Sequence, residues 1–281
     1  MVECEKDLSF VPVEVEKAKT LSRSQIEFYN REGYVNAFDA FTGTEIEQTR
    51  SYFNDLLYKV ENVYGGNSYT INGYHSFCKG IANIMMNTKI LDCVEDIIGP
   101  NIIAWGSHFF CKNPGDPKTV PFHQDASYWP FETSRTVTVW LAIDDADSEN
   151  SAMMFIPQTH DKGHLEWKES KDPCVLSQEI VNAEQMGDPI YNTLKAGQFS
   201  MHADMLAHGS KPNSSNRRRC GLTIRYCPPS VKAIQPGWAK NAFLCRGEDN
   251  TGHWVHRPIP DEDNLEKGLG GKKKSKEKTA D

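Results

Sequence analysis

This sequence carries no excess of positive charge. Its 31 Lys and Arg stand against 38 Asp and Glu, for a formal net charge of -7, which argues against non-specific nucleic-acid binding. It has no apolar run near the roughly 18 residues of a membrane span, so no membrane partner is expected. Its first residues, Met1-Val2-Glu3-Cys4-Glu5, are acidic where a secretory signal carries positive charge and then an apolar stretch, and an intracellular, cytoplasmic protein is predicted. The eight cysteines include no Cys-x-x-Cys pair, and a chain of this size needs no disulfide staples, so reduced, mostly buried thiols are expected. Internal repeats are absent too. What the chain does have is 38% hydrophobic residues, with six Trp and thirteen Phe, enough for a sizeable core in a single domain.

The apolar period changes along the chain. Ser22 with Gln25 forms a capping box ahead of Ile26 and Phe28, and Gly33 closes that helix. Thr42 with Glu45 repeats the signal, and Ile46, Phe53, Leu56, Leu57 and Val60 then share one helical face. Ile90, Leu91, Val94, Ile97 and Ile98 predict a third helix, closed by Gly99 and Pro100, so residues 20–100 read as helical. From residue 101 the period is two. In Thr136–Ile143 the odd positions Val137, Val139, Leu141 and Ile143 line one face, and the more polar Thr136, Thr138, Trp140 and Ala142 the other, as in a barrel interior that holds a ligand. Further strands are expected around 102–111, 152–156, 176–181, 197–201 and 219–226. Many short strands after a helical part predict a mainly β chain, a jelly roll flanked by helices. The expected organisation is one domain over 1–267, with a β core at 101–230, an extension at 231–267 and a disordered lysine-rich tail at 268–281.

The chemistry concentrates in His123-Gln124-Asp125 and, eighty-five residues after His123, His208-Gly209-Ser210. A His-x-Asp triplet alone is weak, since His202-Ala203-Asp204 also fits and about one such match is expected by chance. In an extended segment, however, positions i and i+2 project to the same side, so His123 and Asp125 can reach one metal. Two imidazoles and a carboxylate occupy one face of a six-coordinate ion and leave three adjacent positions open, the arrangement of non-haem Fe(II) oxygenases. An arginine just beyond His208, Arg219, suits the carboxylate of an acidic co-substrate. Arg217 and Arg218 lack that register and read as solvated.

These segments, with Phe110-x-Lys112-x-Pro114-Gly115, Tyr128-Trp129-Pro130, Trp140 and Pro157-x-Thr159-His160, resemble the phytanoyl-CoA dioxygenase family of Fe(II)/2-oxoglutarate oxygenases over residues 20–230. The resemblance implies a cupin-like double-stranded β-helix. It implies His123, Asp125 and His208 as iron ligands, Arg219 as the partner of the distal carboxylate of 2-oxoglutarate, and Ser210, Trp140, Gln124 and Phe109 as lining of the same pocket. His202 matches a histidine that neighbours the metal without binding it. The implied reaction uses dioxygen and 2-oxoglutarate to oxidise a C–H bond of a small molecule, with succinate as co-product.

The family pattern often has glycine where this chain has Ser151 and Gln158, which puts the turn geometry there in question. Halogenases of this type replace the carboxylate ligand, and the intact Asp125 disfavours that outcome. For the prime substrate, Tyr128 and Trp129 are candidate walls, with core packing as the other reading, and Asn72 and His75 fall in a candidate lid segment. Without a basic cluster matching a CoA nucleotide, a polar or amino-acid-derived metabolite is preferred, in a natural-product setting. The rivals are an acyl-CoA 2-hydroxylase and a metal- or ligand-binding barrel without catalysis.

Overall fold

The computed structural model describes residues 6–171 and 174–269. Its elements run α1 (Arg23–Glu32), β1 (Tyr34–Asp39), α2 (Thr44–Asn62), α3 (Lys79–Met85), α4 (Thr88–Ile98), β2 (Ile102–Lys112), β3 (Val120–His123), α5 (Asp125–Tyr128), β4 (Val137–Ala142), β5 (Met154–Phe155), β6 (Trp167–Glu169), β7 (Gln178–Ile180), β8 (Ile190–Tyr191), β9 (Gln198–Ala203), β10 (His208–Ser210), β11 (Arg219–Cys227), β12 (Phe243–Arg246) and α6 (Leu265–Gly268).

Local signals set the helix ends. The Ser22–Gln25 capping box is formed, and Gly33 closes α1 in the left-handed region at φ 82°. Asn87 caps α4 by accepting from the Lys89 and Ile90 amides, and Gly99 ends it. The second capping box is only half present: Glu45 accepts from the Thr42 amide, and Gly43 holds the cap position with no side-chain bond.

A six-stranded antiparallel sheet in the order β1-β9-β4-β11-β2-β12 and a four-stranded sheet in the order β3-β10-β5-β8 form the double-stranded β-helix. The alternation of β4 decides which side each layer takes. Val137, Val139 and Leu141 join Leu222, Ile224 and Tyr226 in the main core, against Phe53, Leu56 and Val60 of α2 and Leu91 and Val94 of α4. Each such buried aliphatic contributes roughly 1.5–3 kcal/mol. Trp140 and Ala142 point the other way and pack with Tyr34, Phe155 and Leu206 between the sheets.

Residues 20–100 are not helical throughout. Directly after the turn at Gly33, Tyr34–Asp39 forms an edge strand whose Tyr34 pairs with His202, because an apolar pair beside an open sheet edge gains more from ladder pairing than from extending a capped helix. The segment 231–267 also joins the sheet, through β12 beside β2, and Val231 and Trp254 pack with Trp105, Trp129 and Phe131. Gly268 is the last residue of α6 and Leu269 packs against the main core, while residues 270–281 of the expected tail lie outside the described residues. The seven described cysteines are all free. Among the described residues no helix is long and apolar enough to cross a membrane.

Candidate metal and co-substrate site

His123 ends β3, Asp125 opens α5, and His208 opens β10 directly opposite His123 in the strand register. One ligand atom from each lies within 4.8 Å of the others, and all three residues are buried. The imidazoles are held by the same device. His123 Nδ1 sits 2.8 Å from the Pro121 carbonyl and His208 Nδ1 sits 2.8 Å from the Leu206 carbonyl. A carbonyl only accepts, so each Nδ1 carries the proton and each Nε2 presents a lone pair. Those Nε2 atoms lie 3.7 and 3.9 Å from Asp125 Oδ1, while Thr138 Oγ1 donates to Oδ2 at 3.0 Å. Two neutral imidazoles and one oriented carboxylate oxygen thus converge on a point, the donor set that suits a divalent transition metal.

Electrostatics agree at His208 and Asp125. Burial lowers His208 to about 4, with His123 adding to the effect. Burial alone would raise Asp125, but its setting against His123, His208 and Arg225 outweighs that and holds the carboxyl well below its usual range. His202 lies on the far side of the carboxylate, with Nε2 3.9 Å from Oδ2, and neither of its ring nitrogens has a hydrogen-bond partner among the described residues. It is outside the converging set, as a neighbour rather than a fourth ligand would be.

Strand register brings the second half of the site alongside. Arg219 is fully buried at the start of β11, where Nε donates to Ser151 O at 2.9 Å, Nη1 to Phe110 O at 3.2 Å and Nη2 to Ser210 Oγ at 3.2 Å. The Trp140 ring lies 5.8 Å from its guanidinium carbon. No carboxylate of the described residues pairs with Arg219, whereas Arg217 pairs with Asp147 and Arg218 with Asp144. So the two arginines expected to be solvated are instead paired with acids, and Arg219 is the one left facing the cavity it shares with the triad, Ser210 and Trp140. Gly221 makes room for that wall: a Cβ there would sit 2.0 Å from the Trp140 ring. Ser151 and Gln158 adopt φ 67° and 61°, the left-handed conformation that glycine would take more cheaply. At Ser151 this turn aims the carbonyl at Arg219.

Two expected lining residues fall elsewhere. Phe109 points to the helices, stacked on Phe53 at 4.6 Å, and its neighbour Phe110 lines the cavity instead, since adjacent strand residues face opposite sides. Gln124 turns away, donating to Gly163 O and Met205 O and accepting from the Leu165 amide. It braces the loop behind the metal site. By contrast Asn72, His75, Tyr128 and Trp129 all line a second, larger cavity of about 670 Å³ that reaches Asp125. Phe131 is core. Residues that sequence reading passed over are Thr138 as the carboxylate's donor, Trp105 and Trp238 in the larger cavity, and Arg225, six positions after Arg219 and therefore on its face of β11.

Fold and site together define a β-helix with a two-histidine, one-carboxylate centre and a buried arginine. The sequence model of the phytanoyl-CoA dioxygenase family matches residues 29–221, and the chain belongs to that family. It is 26% identical over 156 residues to the peroxisomal phytanoyl-CoA dioxygenase of Bos taurus, covering 52% of this chain and 45% of that protein. It is 27% identical over 188 residues to a probable alpha-ketoglutarate-dependent hypophosphite dioxygenase of Stutzerimonas stutzeri, covering 65% and 61%. The chain thus spans about half the length of these two relatives. With the methylphosphonate hydroxylase of Gimesia maris the match is 26% over 227 residues, covering 74% of this chain and 81% of that protein. Among solved structures, the non-heme monooxygenase ThoJ in its apo form superposes with a TM-score of 0.72 at 25% identity, covering 87% of this chain and 92% of that one. CytC3 with Fe(II) and alpha-ketoglutarate superposes with a TM-score of 0.61 at 21% identity, covering 86% and 98%.

Proposed function

We propose that this chain is an Fe(II)- and 2-oxoglutarate-dependent dioxygenase that oxidises a C–H bond of a small-molecule metabolite. The observation that carries this reading is the convergence of His123 Nε2, His208 Nε2 and Asp125 Oδ1 beside an arginine that no carboxylate of the described residues pairs with. His123, Asp125 and His208 hold the iron. Bound there, Fe(II) supplies the activation of dioxygen that couples decarboxylation of 2-oxoglutarate to substrate oxidation. Arg219 holds the distal carboxylate of 2-oxoglutarate through a charge-assisted contact, Ser210 Oγ steadies the guanidinium, and Trp140 walls the pocket against water. Thr138 fixes which carboxylate oxygen faces the metal.

The larger cavity over Asp125 receives the prime substrate, and its 670 Å³ suits a metabolite-sized body. Hydroxylation is the default outcome, and desaturation or ring closure begins with the same hydrogen removal. With Asp125 in place chloride finds no vacated position, so halogenation is disfavoured. The Gimesia maris relative, named for hydroxylating methylphosphonate, supports a small polar substrate over an acyl-CoA thioester. A non-catalytic barrel would have no use for both halves of the site. The test is succinate formation by the iron-loaded protein with a metabolite extract under oxygen-18. Succinate appearing only with Fe(II), 2-oxoglutarate and dioxygen together, and one label in a hydroxylated product, is the expected result. Succinate absent from the complete mixture, or a chlorinated product, would sink the reading.

A further inference from the structure

Arg225 sits on β11 between Gly106 of β2 and Thr138 of β4. Its surroundings differ from those of the other buried or half-buried arginines. Arg218 and Arg246 each meet carboxylates at 2.7 Å, and Arg219 donates to three protein oxygens. Among the described residues the Arg225 guanidinium has no carboxylate within ion-pair distance and makes no hydrogen bond, and its Nε is buried without a partner. Two indoles hold it instead: the guanidinium carbon lies 5.3 Å from the Trp129 ring and 5.9 Å from the Trp105 ring, and those rings meet edge to face at 4.7 Å. Gly106 leaves space for the stem, since a Cβ there would come within 3.2 Å of Arg225 Cδ.

A cation partly withdrawn from water without an ion-pair partner is costly, and among the described residues only the longer-range attraction of Asp125 and the two indole faces offset it. Of the described residues lining the 670 Å³ space, Asp125 is the sole carboxylate, and its oxygens face the imidazoles and Thr138. His75 and His108 add no negative charge, and burial keeps both neutral. Cation–π contact with the two indoles leaves the guanidinium N–H groups without a hydrogen-bond partner among the described residues, a planar fork that an oxyanion can satisfy.

We propose that Arg225 anchors an oxyanion group of the prime substrate, a carboxylate, phosphonate or sulfate, with a flat or apolar body lying against Trp129 and Trp238. This rests on the oxygenase reading for the meaning of "prime substrate", and it makes Arg225 the residue that selects anionic substrates and sets the reacting C–H bond over Asp125.

The experiment uses the full chain loaded with Mn(II) and saturated with 2-oxoglutarate, so that Arg219 is already occupied. Calorimetric titration compares phenylacetate and phenylphosphonate with the neutral phenylacetamide. At least one anion should bind about tenfold or more tighter than the amide, a difference of about 1.4 kcal/mol. Arg225→Leu and Arg225→Gln should each abolish that preference, and either variant suffices if the other does not fold. Arg225→Lys should keep part of it. Binding of neither anion, equal binding of acid and amide, or a preference surviving both neutral variants would overturn the proposal. Mn(II) and 2-oxoglutarate binding, measured first and without probe, tests the oxygenase reading separately.

Discussion

His123 and His208 face each other across the β3–β10 pair, and each imidazole donates from Nδ1 to the carbonyl two residues earlier in its own chain. The tautomer of both rings is therefore set by backbone before any metal arrives, and their Nε2 lone pairs share the space beside Asp125 Oδ1. Replacing His123, Asp125 or His208 by Ala should lower Fe(II) affinity by more than about a hundredfold, since even loss of an outer partner typically costs 10–100-fold. His202→Ala should keep one metal per chain by elemental analysis. If His202→Ala lost the metal and His208→Ala did not, the ligand assignment would be wrong.

Thr138→Val keeps the shape of the side chain and removes the donor to Asp125 Oδ2. Metal affinity should fall by about 10–100-fold with the fold intact. An affinity unchanged in a calorimetric titration would mean that the carboxylate is oriented by something else.

The pairing of Arg217 with Asp147 and the freedom of Arg219 from any described carboxylate separate two adjacent variants. Arg219→Leu should weaken 2-oxoglutarate binding by about 10–100-fold, the range for losing a charge-assisted contact. Arg217→Leu should leave it within about twofold. The reverse order would show that the co-substrate enters from another side.

His75 offers a test by pH. Its Nε2 faces the Asn241 carbonyl and so carries the proton, leaving Nδ1 to accept from Ser107 Oγ. Burial lowers His75 to about 4, below its value in the unfolded chain, near 6.5. The unfolded state therefore takes up a proton first, and the stability contributed by the neutral ring is full above pH ~6.5 and lost as pH falls toward 4. Gln can make both bonds without titrating. The melting temperature of the native chain should fall more steeply than that of His75→Gln between pH 6.5 and 4, and parallel curves would count against this account.

The convergence of His123 and Asp125 was legible from a local spacing, i and i+2 in an extended segment, whereas the placement of His208 and Arg219 beside them was legible from the family resemblance. The inward face of β4 was legible from alternation, and it does carry Thr138 and Trp140. Phe109 and Phe110 mark the limit of that signal, because two adjacent phenylalanines give no alternation to say which faces in, and only the pairing of Gly221 with Phe110 decides it. Gln124 stands between two site residues yet points the other way for the same geometric reason. The cavity wall from 235–241 was not legible, since it depends on β12 joining β2 over a long sequence separation. Arg225 was within reach of the alternation rule, but nothing local reveals that no carboxylate of the described residues meets it.

The central claim is that one metal and one molecule of 2-oxoglutarate share this pocket. Their linkage tests it most directly: 2-oxoglutarate is titrated into the full chain with and without Mn(II), under nitrogen. The account predicts one site, an affinity at least about tenfold higher with metal, and loss of that enhancement in His208→Ala. Equal affinity with and without Mn(II), or no binding to the metal-loaded chain, would contradict it.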